Sequence, residues 1–283
     1  MRNRVDVRAG ALTRGRVAAA VAVLAALTVP MLAHTAAQPR PVATQADLSG
    51  NWGYAVGNSF SPKGTAQDAG TPADGVPYQP WALALMKSRK TMSGPNATFN
   101  TRSGATLETT DTTDPVEQCA PHGVPRILTW PAKFKFLQTT DVVYILYEYG
   151  PYWRPVWLNR PHPPADELDS TFWGHSIGRY DGSDTLIVDT VGFNDKTWLD
   201  DVGRPHTDKL HVIERYRRVD QGHLEVTLTI DGPGAYTATF TFGPRTVLAR
   251  TTDFGAALWT CTIDQNKEFF RDVAAPTLAP PAR

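Results

Sequence analysis

The sequence predicts a mainly β protein, an antiparallel up-and-down meander closed into a barrel. Three observations carry this. Beyond Cys119 the chain falls into period-two segments, KFKFLQ (133–138), VVYILYEY (142–149), DTLIVDTV (184–191), KLHVIERYRRV (209–219), HLEVTLTI (223–230) and AYTATFTF (235–242). Each is bounded by turn chemistry such as Asp181-Gly182-Ser183-Asp184 or Asp231-Gly232-Pro233-Gly234. A long run of hairpin-linked strands must also close or fold over to hide its edges, and no βαβ unit or internal repeat offers another solution.

Alternation assigns the faces. In HLEVTLTI, Leu224, Val226, Leu228 and Ile230 share one side and Glu225, Thr227 and Thr229 the other. In AYTATFTF, Tyr236, Ala238, Phe240 and Phe242 are expected on the buried side. Before Cys119 the pattern is different. DLSGNWGYAV opens a strand at about residue 50, and a Gly-, Pro- and Ser-rich loop follows to about Pro77. One short helix near 80–90 is predicted from Trp81, Leu83, Leu85 and Met86 behind Pro80, which suits a first-turn position.

The N-terminus carries Arg2, Arg4, Arg8, Arg14 and Arg16, an apolar run from Val17 to Ala33, and small residues through Ala37. This describes a secretory signal over 1–37, because the apolar run is shorter than the ~20 residues that span a bilayer. A flexible lead-in over 38–47 precedes a single barrel domain over 48–270. Its loop-rich part is 48–118, and a disordered tail over 271–283 closes the chain. The expectation is an exported, periplasmic or secreted protein with no membrane association after cleavage.

In an exported chain Cys119 and Cys261 are expected to form a disulfide. Closing so long a loop is worth ~4–5 kcal/mol in the chain-entropy model. The 28 basic and 28 acidic residues balance, and loss of the signal leaves the remainder mildly acidic. That argues against nucleic acid as a partner, which calls for a clustered cationic surface.

The opening Gly50-Asn51-Trp52 followed by a meander resembles the lipocalin-type, calycin-like barrels, whose first strand carries Gly-x-Trp. That resemblance implies architecture alone. The blocks DLSGNW, CAPHGVPR (119–126), GHSIGRYDGSDTLIVDTVGFND (174–195) and PHTDKLHVIERYRRVD (205–220) are similar to a family of exported bacterial proteins of uncharacterised function. That likeness implies an intact domain and brings no activity.

Titratable residues concentrate between Trp173 and Asp220. Taking His175 as general acid or base, Asp189 is the natural orienting partner, because a carboxylate in the apolar strand TLIVDTV needs pairing. Asp189 shares a face with Thr185 and Ile187. If Leu186 and Val188 pack outside it faces the lumen, and otherwise it caps a strand. His206, His211 and Glu214 are candidates for a second polar group. They could also ligate a metal, although His211 and Glu214 point to opposite faces of a regular strand.

Tyr147 and Glu148 occupy opposite faces, and one of them must point inward. Trp173 beside Gly174, and Asn194 and Trp198 in the long 192–206 loop, are candidate ligand contacts. Trp130, Tyr152, Trp153, Trp157, Phe172 and Trp173, with Arg154 and Arg160 among them, suit a hydrophobic small molecule with a few polar anchors. No nucleophile elbow, phosphate loop or dinucleotide fingerprint is present. The functional expectation is therefore a barrel enclosing a hydrophobic small molecule, either as a cofactor-free acid/base enzyme of the isomerase, lyase, hydratase or cyclase type or as a carrier.

Overall fold

A computed structural model describes residues 46–54, 68–91, 93–97, 113–116, 118–130, 133–148, 150 and 152–250. The signal, most of the lead-in, the tail and Cys261 lie outside them. Nine strands in sequence order close into a barrel: β1 (Gly50–Tyr54), β2 (Phe134–Gln138), β3 (Val142–Tyr147), β4 (Trp153–Leu158), β5 (His175–Asp181), β6 (Thr185–Val191), β7 (His211–Arg218), β8 (His223–Asp231) and β9 (Phe240–Arg250). Closure comes from β9 pairing antiparallel with β1, Trp52 opposite Arg250.

The meander is antiparallel except at one junction. β4 and β5 pair in parallel, with Val156 opposite Ser176 and Trp157 opposite Ile177. Parallel neighbours cannot be joined by a tight hairpin, so residues 159–174 must carry the chain back along the sheet. β4 itself escapes sequence reading because Pro155 interrupts a segment already crowded with prolines.

A second difference concerns AYTATFTF. Only Phe240–Phe242 of that segment belong to β9, which runs on to Arg250. Ala235 and Tyr236 turn back onto Gly232, and the Thr237 N–H donates to the carbonyl of Pro77, so these backbone groups are spent outside the sheet and Ala238 is exposed.

Inward positions are filled with large apolar side chains. Trp52, Phe136, Val143, Val156, Leu186, Val188 and Leu228 have no exposed surface. Phe134, Phe136 and Tyr216 meet edge to face at 5.1–6.1 Å. The helix expected near 80–90 is α1 (Pro80–Ser88), with Pro80 in its first turn. It buries Ala82 and Met86, and Trp81 Nε1 donates to the carbonyl of Gly234. A single further helical turn, α2 (Arg126–Thr129), precedes β2.

Gly178 sits where β5 crosses β4. A Cβ there would lie 2.6 Å from Val156 Cγ1 and 3.3 Å from Leu158 Cδ2. Gly178→Ala is expected to destabilise the fold by about 1–3 kcal/mol through overpacking at the parallel junction. Urea unfolding followed by tryptophan fluorescence measures this as a lowered midpoint.

Candidate functional site on the barrel wall

Alternation sends the candidate residues to two sides of the same wall. On β5, Ser176 and Gly178 point inward while His175 and Ile177 point outward. On β6, Leu186, Val188 and Thr190 are fully buried and Asp189 is outside, so the alternative in which Leu186 and Val188 pack outside does not occur. On β7, Glu214 and Tyr216 are inside, and His211 and Ile213 are outside. The interior thus receives Glu214 and Tyr216, while His211 of the same strand stays outside.

Outside, four titratable side chains converge. Asp189 Oδ1 lies 2.8 Å from His211 Nε2 and 3.1 Å from His162 Nε2, and His162 Nδ1 lies 2.9 Å from His175 Nδ1. Asp189 therefore reaches His175 through His162 rather than directly. The β4–β5 crossover supplies His162, β5 supplies His175, β6 supplies Asp189 and β7 supplies His211. Side-chain exposures of 19% for His162, 32% for His211 and 36% for Asp189 keep the group open to solvent on one side.

Local sequence sets the entry of β5. The Thr171 hydroxyl accepts from the N–H groups of Trp173 and Gly174 at 3.2 and 2.9 Å. Gly174 takes a left-handed φ of +64°, and a Cβ there would lie 2.6 Å from the carbonyl oxygen of Val191. His175 follows at once and begins its ladder with β6.

The hydrogen bonds fix tautomers. A carboxylate only accepts, so the Nε2 atoms of His162 and His211 must carry protons toward Asp189. Neutral His162 then presents a bare Nδ1, and His175 must donate its Nδ1 proton to it. That leaves the Nε2 lone pair of neutral His175, and the Nδ1 lone pair of His211, as acceptors at the edge of the group. Burial, reinforced by the nearby His162, holds the His175 imidazole below its ordinary range and favours its basic form.

Inside the barrel, Arg154 is the hub of a second group. Its Nε donates to the Tyr147 hydroxyl at 2.9 Å, Nη1 to Ser176 Oγ at 3.1 Å, and Nη2 to Glu214 Oε2. Tyr216 donates to the same carboxylate oxygen at 2.5 Å, and Ser176 Oγ bonds Thr190 Oγ1 at 3.0 Å. Burial alone would lower the Arg154 pKa, but the Glu214 carboxylate beside it raises it well above the ordinary value. Burial, with Glu214 adding to it, pushes the Tyr216 hydroxyl up as well. Glu214 Oε1 has no hydrogen-bond partner among the described residues.

The remaining candidates are spread out. Tyr147 points inward and stacks on Trp173 at 5.6 Å, and Trp173 also packs against Tyr152 at 5.2 Å near the start of β5. Glu148 is outside and pairs with Lys133 at 3.1 Å. Trp198 is buried under the Arg89 guanidinium, 4.6 Å from its ring. The Asn194 side chain accepts from the N–H of Lys196 at 3.1 Å. His206 is buried 2.8 Å from Thr197 Oγ1, remote in bonding from His211 and Glu214. Those three do not meet, and among the described residues no group of three or more His, Cys, Asp or Glu has metal-holding geometry.

Sequence reasoning passed over His162, Ser176, Thr190 and Tyr216. For His162 a signal existed, because Pro161 and Pro163 flank it and fix the local chain while leaving a titratable side chain. For Tyr216 and Thr190 none existed beyond alternation. The same loop that hides Trp198 is tied down by Arg204, which donates to Asp200 and, at 2.8 Å, to the Tyr78 hydroxyl. No protein-family model matches this chain, and no curated protein is significantly similar to it in sequence.

Two outcomes follow from these buried titratable groups. Arg154→Met strands Glu214 in an apolar interior and should cost about 3–5 kcal/mol in urea unfolding, with Arg154→Met/Glu214→Leu recovering much of it. His206 is pushed down to about 4 from 6.5, chiefly by burial. The unfolded chain therefore binds the extra proton between those values, and stability falls as pH drops through that window, by about 3 kcal/mol. Unfolding midpoints at pH 4 and pH 7 measure it, and His206→Asn should flatten the slope.

Proposed function

We propose that the protein is an acid/base enzyme acting on an apolar small molecule at the outer wall of its barrel, in an isomerisation, elimination, hydration or cyclisation. The supporting observation is the hydrogen-bonded chain His175–His162–Asp189–His211, with an open nitrogen at each end. His175 Nε2 removes a proton from carbon or oxygen. The resulting imidazolium is stabilised through its Nδ1–H bond to His162, whose own Nε2–H bonds Asp189. The same His175 imidazolium then returns that proton to a second atom of the substrate, while His211 holds the Asp189 carboxylate from its other side. The proton taken is the proton returned, so the scheme balances with no cofactor.

The outward residues beside this chain are apolar. Trp157, Ile177, Asp189 and Ile213 are neighbours in one cross-strand row, all half-buried. They offer an apolar surface at the base, where the sequence analysis had placed the ligand in the lumen. A second reading, a carrier, draws support from the unpartnered Glu214 Oε1, which would accept from a guest held inside. Native mass spectrometry before and after denaturation distinguishes the two, since a retained organic mass lost in Glu214→Gln favours the carrier.

Export and a Cys119–Cys261 disulfide belong to the same proposal. Quantitation with a thiol reagent under denaturing conditions should find thiols only after reduction. For catalysis, ring opening of 5-nitrobenzisoxazole, in which a base removes the ring C–H as the N–O bond breaks, reports base strength directly. His175→Ala and His175→Gln should each lower kcat/KM about 100-fold with unfolding midpoints unchanged. The wild-type rate should hold its plateau below the ordinary imidazole range, because the His175 pKa is lowered. Equal rates in wild type and both variants defeat the proposal.

A further inference from the structure

The parallel junction brings one more charged group to this wall. Asn159 takes a left-handed φ of 54° at the end of β4, and its N–H donates to the Gly178 carbonyl at 2.9 Å, which holds the start of the crossover against β5. Arg160 comes next. It is exposed, and its guanidinium carbon sits 4.9 Å over the ring of Trp157. Among the described residues no carboxylate lies within ion-pair distance of it. A guanidinium stacked on an aromatic face keeps a fork of N–H donors that matches carboxylate geometry. Two residues later the same segment delivers His162.

Distances along the wall set the size of what could lie there. Trp157 on β4 and Asp189 on β6 share one row with Ile177 of β5 between them, so they stand two strand spacings apart, about 10 Å. Arg179, also outward and exposed on β5, adds a second guanidinium one outward position beyond Ile177. The wall therefore presents a cation over Trp157, a half-buried apolar strip running on to Ile177, and His175 one outward position before Ile177 on β5.

We infer that this site takes an anionic small molecule with a flat apolar body, its carboxylate or phenolate on Arg160 and its body across Trp157 and Ile177. The inference rests on the reading of the outer wall as the active site and names the substrate class for it. Arg160 acts as the specificity-determining residue and takes no part in proton transfer. Its loss should therefore raise KM for an anionic substrate and leave kcat in place, whereas loss of His175 lowers kcat.

Binding without turnover tests this separately from catalysis. In isothermal calorimetry on the full chain, 2-naphthoate should bind about fivefold more tightly than the neutral 2-naphthamide at low salt, with the preference shrinking as salt is added. Arg160→Gln should bring the two ligands to parity, and Trp157→Ala should weaken both about tenfold. His175→Ala should leave the preference intact. Equal affinities in the wild type, a preference that survives Arg160→Gln, or no binding of either ligand overturns the assignment. A preference that depends on Arg160, found together with an unchanged nitrobenzisoxazole rate in His175→Ala, keeps the anion site and removes the catalytic reading.

Discussion

The parallel pairing of β4 with β5 is the constraint on which the rest of this molecule depends. A barrel of hairpins alone needs no segment lying over its wall. One parallel junction obliges the chain to travel back the length of a strand before it can pair again. Phe136, Val156 and Val188 are buried on the inner face, and the return, which brings His162 to Asp189, runs outside. The crossover lays His162 against Asp189 and places Arg160 over Trp157. Tight packing at the junction itself requires Gly178, which has no side chain to keep Val156 away.

The wall then separates two kinds of electrostatics. Inside, Arg154 and Glu214 form a buried ion pair, bound by two tyrosines and Ser176. Such a pair is expensive to desolvate and expensive to break, so its effect is to hold strands β3, β4, β5 and β7 in one register. Outside, Asp189 shares one oxygen between two imidazoles and remains partly in water, where protons can arrive and leave. A buried ion pair fixes geometry, and a half-exposed hydrogen-bonded group stays within reach of solvent.

The loop from Gly192 to His206 serves the first purpose. Trp198 lies under Arg89, Arg126 donates to the carbonyl of Asp200, and Arg204 joins Asp200 to Tyr78 and Asp74. These contacts fasten the loop-rich N-terminal part to the barrel. They also explain why His206 is buried in its neutral form. Long loops rich in Trp, Asn and Asp suggest a binding rim, and in this one the same residues act as a clamp.

From the sequence alone came the class of fold, the closed order of the strands, α1 with Pro80 at its start, and the inward face of β8, because period-two patterning and turn residues are local properties of the chain. Alternation also determined that His211 and Glu214 lie on opposite sides. What tertiary structure decided was which side is which, since a strand of apolar residues on both faces, as TLIVDTV is, carries no label for inside. It decided the parallel junction too, hidden behind Pro155, and with it the meeting of His162, His175, Asp189 and His211. Those side chains come from four successive segments, with bonded pairs 13 to 27 residues apart, and only the pairing of the strands and the path of one crossover bring their nitrogens and the carboxylate within hydrogen-bonding distance.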